Sequence, residues 1–397
     1  MRFSLLALSV LFIQTIQGQT NKLHYKAVLV DTHNDILSAA MLEGKDISHR
    51  IPEGHSDLDR WKEGGVDVQF FSVWTDKTPR TKEGFYKDAI QEINLLDTLV
   101  QKNQERIVLA RTYSDVKKTI RQKKLAALIG VEGGHMIEND LNKLEELYNR
   151  GMRYMTLTWN NSTSWASSAM DETLHPDSLK HKGLNELGKQ IVRKMNELGV
   201  IVDLSHTGEQ TFYDAIATTT KPVLLSHSSV WNICPVFRNV KDEQIKAVAK
   251  NGGVICINFY SGFISKEYDL RSTYLNGPGK KAFIDSAKAG SNGGPVVHDS
   301  VYYQKLADKY VNDELQKVRP TLQQMVDHID YIVKLVGDDY AGIGSDFDGV
   351  SSLPLGLDDV TTYPKITEEL IKRGYSKKSI KKILGGNVMR VMKANFK

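Results

Sequence analysis

Hydrophobic residues along this chain fall into two kinds of segment that alternate. Short apolar runs rich in β-branched residues recur, and longer stretches with apolar residues three or four positions apart lie between them. The short runs are typical of buried parallel strands and the long stretches of amphipathic helices, so the alternation predicts repeated β-helix-β units. The eight apolar runs are Ala27–Val30, Val66–Val73, Ala126–Val131, Arg153–Thr158, Val200–Leu204, Val223–Leu225, Val254–Phe259 and Tyr340–Gly344.

Glycines end several of the predicted helices just before the next strand. The helical stretches include Lys87–Lys102, Leu141–Asn149, Leu184–Leu198, Asp242–Lys250 and Leu322–Val336. The glycines that follow are Gly151, Gly199, Gly252 with Gly253, and Gly337. Glycine tolerates the left-handed conformation that ends a helix, so these positions are the expected stops. Eight strands with helical crossovers and no Pro/Ser-rich linker predict the α/β class and a single (β/α)8 TIM-type barrel.

One long segment interrupts this rhythm. Ser265–Pro320 contains two turn-forming runs, Asn276–Gly279 and Ser291–Pro295. We interpret it as an excursion between the seventh and eighth strands that is partly helical around Tyr302–Tyr310. Such an excursion either covers the barrel mouth as a lid or packs at the side of the barrel.

The first residues have the pattern of an export signal. Arg2 supplies a positive charge, Leu5–Ile13 an apolar stretch of signal-peptide length, and Gly18 a small residue suited to cleavage nearby. We therefore predict a signal peptide over residues 1–19, a barrel domain over residues 20–397, and an exported protein that is periplasmic or secreted. No segment approaches the roughly 18–20 apolar residues of a spanning helix, so no transmembrane segment is expected.

Charge and cysteine content exclude several classes of protein. Removing residues 1–19 takes away only Arg2 and changes the net charge from +4 to +3, which gives no electrostatic footprint for nucleic acid or an anionic membrane. A disulfide-dependent fold is excluded, because the two cysteines, Cys234 and Cys256, allow one bridge at most and a chain of this length buries enough apolar surface without bridges. Both lie in or after apolar stretches, which favours buried thiols.

Residues suited to metal binding follow the predicted strands, where active-site residues of such barrels are found. His33 and Asp35 follow the first strand. Two positions apart in an extended segment, they point the same way as a compact N/O pair for a zinc-type ion, although Asp31–Asp35 also suits a solvated turn. Glu132 ends the third strand before two glycines, where one carboxylate could bridge two cations; a buried or capping glutamate is the alternative. His135 is expected to support the site rather than to bind metal.

Two successive strands each end in Ser-His. His206 follows the fifth strand and His227 follows the sixth. One histidine in such a place is usually an ordinary core residue, but two in equivalent places form a repeated local design. Two neutral imidazoles from adjacent strand ends suit one tetrahedral zinc with an open position.

An acidic residue follows the last strand. Asp346, in the segment Gly344–Gly349, could orient or deprotonate a metal-bound water from across the mouth. Asp348 competes for this role, and we favour Asp346 because it comes first after the strand and alternation turns it inward. The Gly-x-Ser-x-Gly and phosphate-loop motifs do not occur in the sequence, and neither cysteine has a papain-like context, so other hydrolytic chemistries fit less well.

Ordered motifs from about Ala27 to about Val391 resemble the renal (membrane) dipeptidase family of zinc peptidases, including its bacterial members. The motifs are Asp31–Asp35, Gly65–Trp74, Gly130–His135, Met152–Thr158, Val202–His206, Ser226–Ser228, Arg238–Val240, Gly252–Ile255, Gly342–Gly349 and Gly385–Asn387. The resemblance implies a barrel of the metal-dependent hydrolase kind and a zinc-dependent dipeptidase. Its substrates could include dipeptides with a C-terminal D-residue, and the family analogy suggests a homodimer.

The resemblance also implies a role for each site residue. The implied ligands of two Zn²⁺ ions are His33 and Asp35 for one ion and His206 and His227 for the other, with Glu132 bridging both. A hydroxide between the ions would attack the scissile carbonyl, and Asp346 would handle its proton. Arg238, by sequence alone a loop arginine, would bind the C-terminal carboxylate of the substrate in a bidentate way.

One position departs from the family. Its animal dipeptidases carry a histidine after the fourth strand that stabilises the oxyanion, and Trp159 stands in that place here. An indole donates one neutral hydrogen bond and supplies no cation, and loss of an oxyanion donor costs about 10²–10³ in turnover. Asn160, Asn161 or the zinc could take over this role, the substrate could differ, or Trp159 could form a floor for a substrate side chain.

Two other functions stay open at this point. Trp159 and the excursion motivate an amidohydrolase that acts on N-acyl amino acids or another small amide at the same site. The other is a non-catalytic secreted binding protein on the same barrel. The presence of all five implied ligands and of Asp346 argues against the second alternative.

Overall fold

The backbone forms nine parallel strands that belong to one sheet. A computed structural model of the chain describes residues 20, 22–291 and 299–397. The strands in these ranges are β1 (Val30–Asp31), β2 (Val68–Trp74), β3 (Ile107–Leu109), β4 (Leu125–Glu132), β5 (Met152–Thr156), β6 (Ile201–Asp203), β7 (Leu224–Leu225), β8 (Val254–Ile257) and β9 (Ala341–Ile343).

Eight of these strands close into a barrel. Their order around it is β1-β2-β4-β5-β6-β7-β8-β9, and the ring closes where Asp31 of β1 pairs with Ile343 of β9. Each of the eight predicted apolar runs overlaps one barrel strand, so the predicted TIM-type barrel is confirmed. The sequence prediction missed β3, which pairs only with the start of β4 and lies outside the ring. With three residues, β3 is too short to give a periodic signal.

Helices connect the strands and surround the barrel. In the described residues they are α1 (Ile36–Ala39), α2 (Leu58–Gly64), α3 (Phe85–Lys102), α4 (Tyr113–Arg121), α5 (Leu141–Arg150), α6 (Ala169–Leu174), α7 (Glu186–Leu198), α8 (Glu209–Thr218), α9 (Asp242–Asn251), α10 (Ser261–Ile264), α11 (Lys266–Tyr274), α12 (Lys280–Ser291), α13 (Ser300–Gln316), α14 (Leu322–Val336), α15 (Tyr363–Lys372), α16 (Lys377–Lys381) and α17 (Asn387–Asn395). Gly151, Gly199 and Gly252 take left-handed conformations at the ends of α5, α7 and α9, as predicted.

Alternation along the strands separates two apolar layers. On β2, Val68 and Phe70 belong to the cluster inside the barrel, whereas Phe71 and Val73 pack against the surrounding helices. Because side chains alternate along a strand, the positions that continue the inward series beyond Phe70 reach the mouth of the barrel. The C-terminal helix α17 contributes to the inner cluster, and it closes the opposite end of the barrel.

The predicted excursion is mostly helical. It contains α11, α12 and α13, and a small apolar cluster that includes Tyr268, Leu275 and Val311 joins α11 to α13. Phe283 and Tyr310 stack at 4.3 Å between ring centroids and hold α12 against α13. Residues 292–298, which include most of the predicted turn run Ser291–Pro295, lie outside the described residues.

Other expectations concern the N-terminus and the cysteines. The predicted signal peptide, residues 1–19, lies outside the described residues. None of the helices in the described ranges combines the length and hydrophobicity needed to span a membrane. Cys234 and Cys256 are buried free thiols, as predicted.

Candidate metal centre

The structure brings all six predicted metal-binding and proton-transfer residues together at the carboxyl end of the barrel. All six are nearly or completely buried. Each stands on the last residue of a barrel strand or in the loop that follows: His33 and Asp35 after β1, Glu132 at the end of β4, His206 after β6, His227 after β7 and Asp346 after β9.

Glu132 lies at the centre of this group. Its Oε1 is 2.9 Å from Nε2 of His206 and 3.3 Å from Nε2 of His227. Its Oε2 is 3.5 Å from Nε2 of His33, which in turn lies 3.3 Å from Oδ2 of Asp35. One carboxylate therefore faces three imidazoles, with a different oxygen toward each side of the mouth.

The hydrogen bonds of His206 and His227 leave lone pairs facing one another. Nδ1 of His206 lies 3.0 Å from the amide oxygen of Asn160, which only accepts, so this nitrogen carries the proton. Nδ1 of His227 lies 2.8 Å from the Ser226 hydroxyl, which already donates to Asp203. Both Nε2 atoms are then acceptors, 3.0 Å apart, and both face the Glu132 carboxylate. Acceptors packed this closely require a cation between them.

The other side of the group has unsatisfied polar atoms. In the described part of the chain, Nε2 of His33 and Oδ1 of Asp35 are buried without a hydrogen-bond partner. Nδ1 of His33 is 2.8 Å from the Tyr154 hydroxyl. A Cβ atom on Gly349 would lie 2.2 Å from Asp35 and 2.5 Å from Asp346, so glycine leaves the space between these carboxylates open.

These donors fit a metal ion. Ligand atoms lie within 4.8 Å of one another in two overlapping groups, His33 with Glu132 and His227, and His33 with Asp35 and Asp346. Imidazole nitrogens mixed with carboxylate oxygens suit zinc and similar transition-metal ions. The residues present can therefore hold metal on both sides of Glu132.

Charges in the group shift the pKa values in opposite directions. Burial lowers the pKa of His206 to about 4, with a further contribution from Arg238, and burial with nearby His33 holds the pKa of His227 well below its usual range. Burial also opposes charge on His33, but Tyr154, Asp35 and Glu132 outweigh it and raise its pKa well above 6.5.

The two acidic groups at the centre differ in the same way. Burial would raise the pKa of Glu132, but His33, His206 and His227 outweigh it and hold this pKa well below its usual range. Burial raises the pKa of Asp346 well above its usual range, and the adjacent carboxylates of Asp35 and Glu132 add to this despite His33. The surroundings of Glu132 therefore favour its charged form, whereas those of Asp346 oppose it.

A buried aspartate behind each side of the group escaped the sequence prediction. Asp203 accepts hydrogen bonds from Thr156 Oγ1 at 2.5 Å and from Ser226 Oγ at 2.6 Å, and Ser226 contacts His227. Asp31 accepts from the hydroxyls of Ser345 at 2.7 Å and Tyr363 at 2.6 Å. Both aspartates lie inside quoted motifs, so the available signal was an acidic residue within an otherwise apolar strand end.

Tyr154 also escaped prediction. It belongs to β5 and reaches His33, which follows β1, across the interior of the barrel. Gly130 is its partner in the β4–β5 register, and a Cβ atom on Gly130 would lie 2.0 Å from the Tyr154 ring. A glycine inside an apolar strand signals such a close approach, and this was the available clue.

Asp346 and Asp348 occupy different places. Asp346 Oδ1 is 4.0 Å from Nε2 of His33, and its Oδ2 accepts from the Asn258 amide at 2.7 Å. Asp348 instead accepts from the backbone N–H of His55 at 2.6 Å. Asn258 follows β8 directly, and the rule that strand ends carry the site could have identified it.

Backbone strain is concentrated here. In the described residues, six non-glycine residues have positive φ, and three of them are His206 at 62°, Asp346 at 61° and Asp348 at 67°. Such conformations cost about 1–3 kcal/mol each and persist where the surrounding structure imposes them. The loops after β6 and β9 therefore hold their side chains in fixed positions rather than in relaxed turns.

Arg238 lies beside the metal-binding residues. Its Nη2 donates to the backbone oxygen of His227 at 3.1 Å, and its guanidinium stacks over Phe263 at 5.4 Å. Its Nε has no hydrogen-bond partner among the described residues. Burial lowers the pKa of Arg238 to about 10, so it is a buried cation at neutral pH with hydrogen-bonding capacity to spare.

A cavity of about 510 Å³ opens above the centre. Trp159 and Asn160, which we expect from the sequence to contact substrate, both line it, and Asn160 also contacts His206. Most of its larger lining side chains are aromatic: Trp74, Trp159, Phe237, Tyr260 and Phe263. No described residue between 265 and 320 lines it, so in this structure the described part of the excursion is not a lid. His135 lies apart and contacts the backbone oxygen of Thr75 at 3.3 Å.

Comparisons with known proteins agree with this arrangement. The sequence profile of the family described as membrane dipeptidase, peptidase family M19, matches residues 17–396. Dipeptidase verJ of Clonostachys rogersoniana is 32% identical over 379 residues, which cover 92% of this chain and 83% of that protein.

Solved structures share the fold. The crystal structure of the probable dipeptidase PvdM from Pseudomonas aeruginosa has a TM-score of 0.76 at 24% identity, over 96% of this chain and 98% of that chain. A metallopeptidase from Rhodobacter sphaeroides, liganded with a phosphinate mimic of the dipeptide L-Ala-D-Ala, has a TM-score of 0.72 at 20% identity, over 93% and 99%. At these identities the likeness establishes the barrel.

Proposed function

The chain belongs to the membrane dipeptidase family, peptidase family M19, and from this premise we propose that it hydrolyses dipeptides with two zinc ions bound at the mouth of its barrel. Members of the family are metal-dependent dipeptidases, and this chain is a hydrolase of that class. The proposal adds the identity and number of the ions, the role of each residue and the range of substrates.

One observation carries the proposal. Side-chain nitrogen and oxygen atoms of His206, His227 and Glu132 converge within 3.3 Å of one another. On the opposite side, Nε2 of His33 and Oδ1 of Asp35 have no hydrogen-bond partner among the described residues. Five ligands with one shared carboxylate suit two ions, His33 and Asp35 on one and His206 and His227 on the other. Zinc bound there would polarise the scissile carbonyl and supply an activated water as nucleophile.

Arg238 would bind the C-terminal carboxylate of the substrate. Its guanidinium is buried, charged and only partly hydrogen-bonded, and it lines the same cavity as Glu132. A planar guanidinium binds a carboxylate through two parallel hydrogen bonds. An arginine fixed beside the centre would position the amide bond of a short substrate there, rather than that of a long peptide.

Asp346 would transfer the proton of the reaction. Asn258 holds its Oδ2, while Oδ1 faces the centre near His33. The carboxylate is therefore placed to accept a proton at Oδ1 and to donate it to the departing amine. Trp159 supplies no cation, so the ions would provide the charge that stabilises the oxyanion. Asn160 uses its amide oxygen on His206, and its N–H groups could add a neutral hydrogen bond.

A dipeptide fits the charges of the cavity better than an N-acyl amino acid. Both substrates have a carboxylate for Arg238, but only a dipeptide has an α-ammonium group. Acidic side chains line the cavity, Asp35, Asp346 and Asp348 among them, and they offer hydrogen-bond acceptors to that group. The dipeptide mimic with a D-residue bound to the Rhodobacter sphaeroides protein supports testing C-terminal D-residues as well.

Release of amino acids from L,L- and L,D-dipeptides by zinc-loaded protein tests the proposal, with metal-stripped protein and N-acetyl amino acids as controls. We expect zinc-dependent release, two zinc ions per chain by elemental analysis, and little turnover of N-acetyl amino acids. Turnover of N-acyl amino acids alone would instead support the amidohydrolase alternative at the same site.

The variant Asp346→Asn tests the assignment of the proton-transfer residue. General acid–base groups contribute about 10²–10⁴ in rate, so turnover should fall by that factor while both zinc ions remain bound. Full activity in this variant would contradict the assignment.

A further inference from the structure

Two ends of the cavity can be distinguished from the order of the strands. Arg238 follows β7 and Trp74 is the last residue of β2, and in the ring of eight strands β2 and β7 are four positions apart in either direction. Trp74 therefore lies diametrically across the mouth from Arg238. The proposed metal ligands lie between these two ends.

This geometry gives the substrate a direction. A dipeptide whose carboxylate binds Arg238 and whose amide lies at the centre extends its N-terminal residue toward β2. A dipeptide has only two Cα atoms, which are about 3.8 Å apart, so one molecule can contact Arg238 and the β2 side at the same time. The side chain of the N-terminal residue then meets whatever lines the β2 side of the cavity.

Two tryptophans line that side. Trp74 and Trp159 are half-buried, both face the cavity, and their rings pack edge to face at 5.3 Å between centroids with 65° between their planes. We call this pair the tryptophan wall. The lining residues Ser38 and Ala39 lie on α1, which follows the adjacent strand β1, and they are small and leave room for a bulky group.

The tryptophan wall is held in place from behind. The backbone N–H of Trp74 donates to buried Glu92 at 3.0 Å, and its backbone oxygen accepts from Arg80 at 2.7 Å. Glu92 and Arg80 are themselves an ion pair at 2.6 Å. A fixed apolar surface loses little conformational entropy when a ligand packs on it, which is the condition for selective binding.

Aromatic residues at the other end are already engaged. Phe263 stacks under the guanidinium of Arg238, and Tyr260 packs on Phe263 at 4.9 Å. These contacts serve the carboxylate end of the substrate. In the described ranges no cation stacks on the ring of Trp74 or Trp159, so the cavity-facing surface of the tryptophan wall is available for an apolar group.

We propose that the tryptophan wall is a specificity site for the N-terminal residue of the dipeptide, and that it selects large apolar or aromatic side chains over small ones. This inference rests on the proposed dipeptidase function. Burial of an aromatic side chain against such a wall changes discrimination by about ten- to a hundredfold, in line with other apolar specificity pockets.

The test compares kcat/KM for Phe-Ala and Ala-Ala, which share the C-terminal residue and the scissile bond. Zinc-loaded wild type should prefer Phe-Ala by tenfold or more. In Trp74→Ala and Trp159→Ala this ratio should fall about tenfold, chiefly through KM for Phe-Ala, and Trp159→Phe should restore most of it. Trp231→Ala, a tryptophan 37% exposed and outside this cavity, is the matched control and should keep the wild-type ratio.

Zinc content and thermal unfolding of each variant separate a loss of selectivity from a loss of structure. A wild type that cleaves dipeptides but favours Ala-Ala would overturn the inference and leave the proposed function intact. So would an unchanged ratio in both alanine variants. No cleavage of any dipeptide by zinc-loaded wild type would overturn the proposed function and, with it, the role of the wall.

Discussion

The two halves of the proposed metal centre are built from different materials. In the half formed by His206 and His227, the Asn160 amide oxygen contacts Nδ1 of His206 and the Ser226 hydroxyl contacts Nδ1 of His227. These contacts keep both imidazoles neutral and orient them independently of an ion. In the half formed by His33 and Asp35, one imidazole faces several carboxylates, and a tyrosine hydroxyl is its outer partner.

The two halves would therefore bind their ions in different ways. Neutral imidazoles fixed by hydrogen bonds give a half whose geometry is set by the protein. A half rich in carboxylates gathers negative charge that a bound ion would balance, since like charges at such distances repel. Glu132 belongs to both halves and couples them.

We expect the largest effect when the carboxylate that couples the two halves is removed. Glu132→Gln replaces a charged bridging oxygen by an amide nitrogen that faces the imidazoles and cannot bind metal. Both ions should be lost or weakened, and activity should fall by more than about 100-fold, the upper limit for loss of an outer hydrogen-bond partner. Zinc analysis and turnover provide the measurement, with Glu145→Gln, an exposed surface carboxylate, as control. Two ions per chain in Glu132→Gln would refute the bridging role.

Gly130→Ala should damage only the carboxylate-rich half. The new Cβ would lie 2.0–2.4 Å from ring atoms of Tyr154, so it displaces the residue that orients His33. Overpacking of this kind costs about 1–3 kcal/mol of stability, which denaturant unfolding measures. In a Tyr154→Ala background, Gly130→Ala should cost little further stability, because the ring with which its Cβ would clash is absent. Equal stability of Gly130→Ala and wild type would show that the barrel interior is looser than this packing implies.

Ser226→Ala should weaken only the imidazole-rich half. It removes the hydroxyl that links His227 to Asp203, and loss of such an outer partner typically costs 10–100-fold in metal affinity. Chelator competition should resolve one weakened and one unchanged ion. Ser345→Ala removes a hydroxyl from the buried aspartate of the other half without contacting a ligand imidazole, and serves as control. Weakening of both ions would argue against separate halves.

Tyr154→Phe should have the smallest effect. It removes one neutral hydrogen bond from His33 and keeps the ring that fills the space above Gly130. We expect a loss of about tenfold in affinity for the ion at the carboxylate-rich half, at the lower limit for outer partners. The same chelator titration measures it. A loss larger than that of Ser226→Ala would reverse the comparison between the halves.

Much of this architecture follows from the order of residues alone. Apolar runs of strand length, separated by amphipathic stretches that end in glycine, identify all eight barrel strands, because buried parallel strands leave no polar face. Ligand-type residues directly after five of these strands predict the centre, since strand ends meet at one face of a barrel. Nothing in that pattern required β3, whose three residues pair at the edge of β4.

The contacts between these residues depend on the tertiary structure and could not be predicted from the sequence. The bond from Tyr154 to His33 joins residues 121 positions apart and depends on a missing Cβ at Gly130 on a third strand. The sequence pattern does not distinguish Asp203 and Asp31 from other acidic residues. Their role is visible only in the fold, where hydroxyl groups from distant strands converge on them. Periodicity reports which face a residue occupies, but contacts across the barrel depend on strand order, register and side-chain volume together, and these are properties of the closed fold.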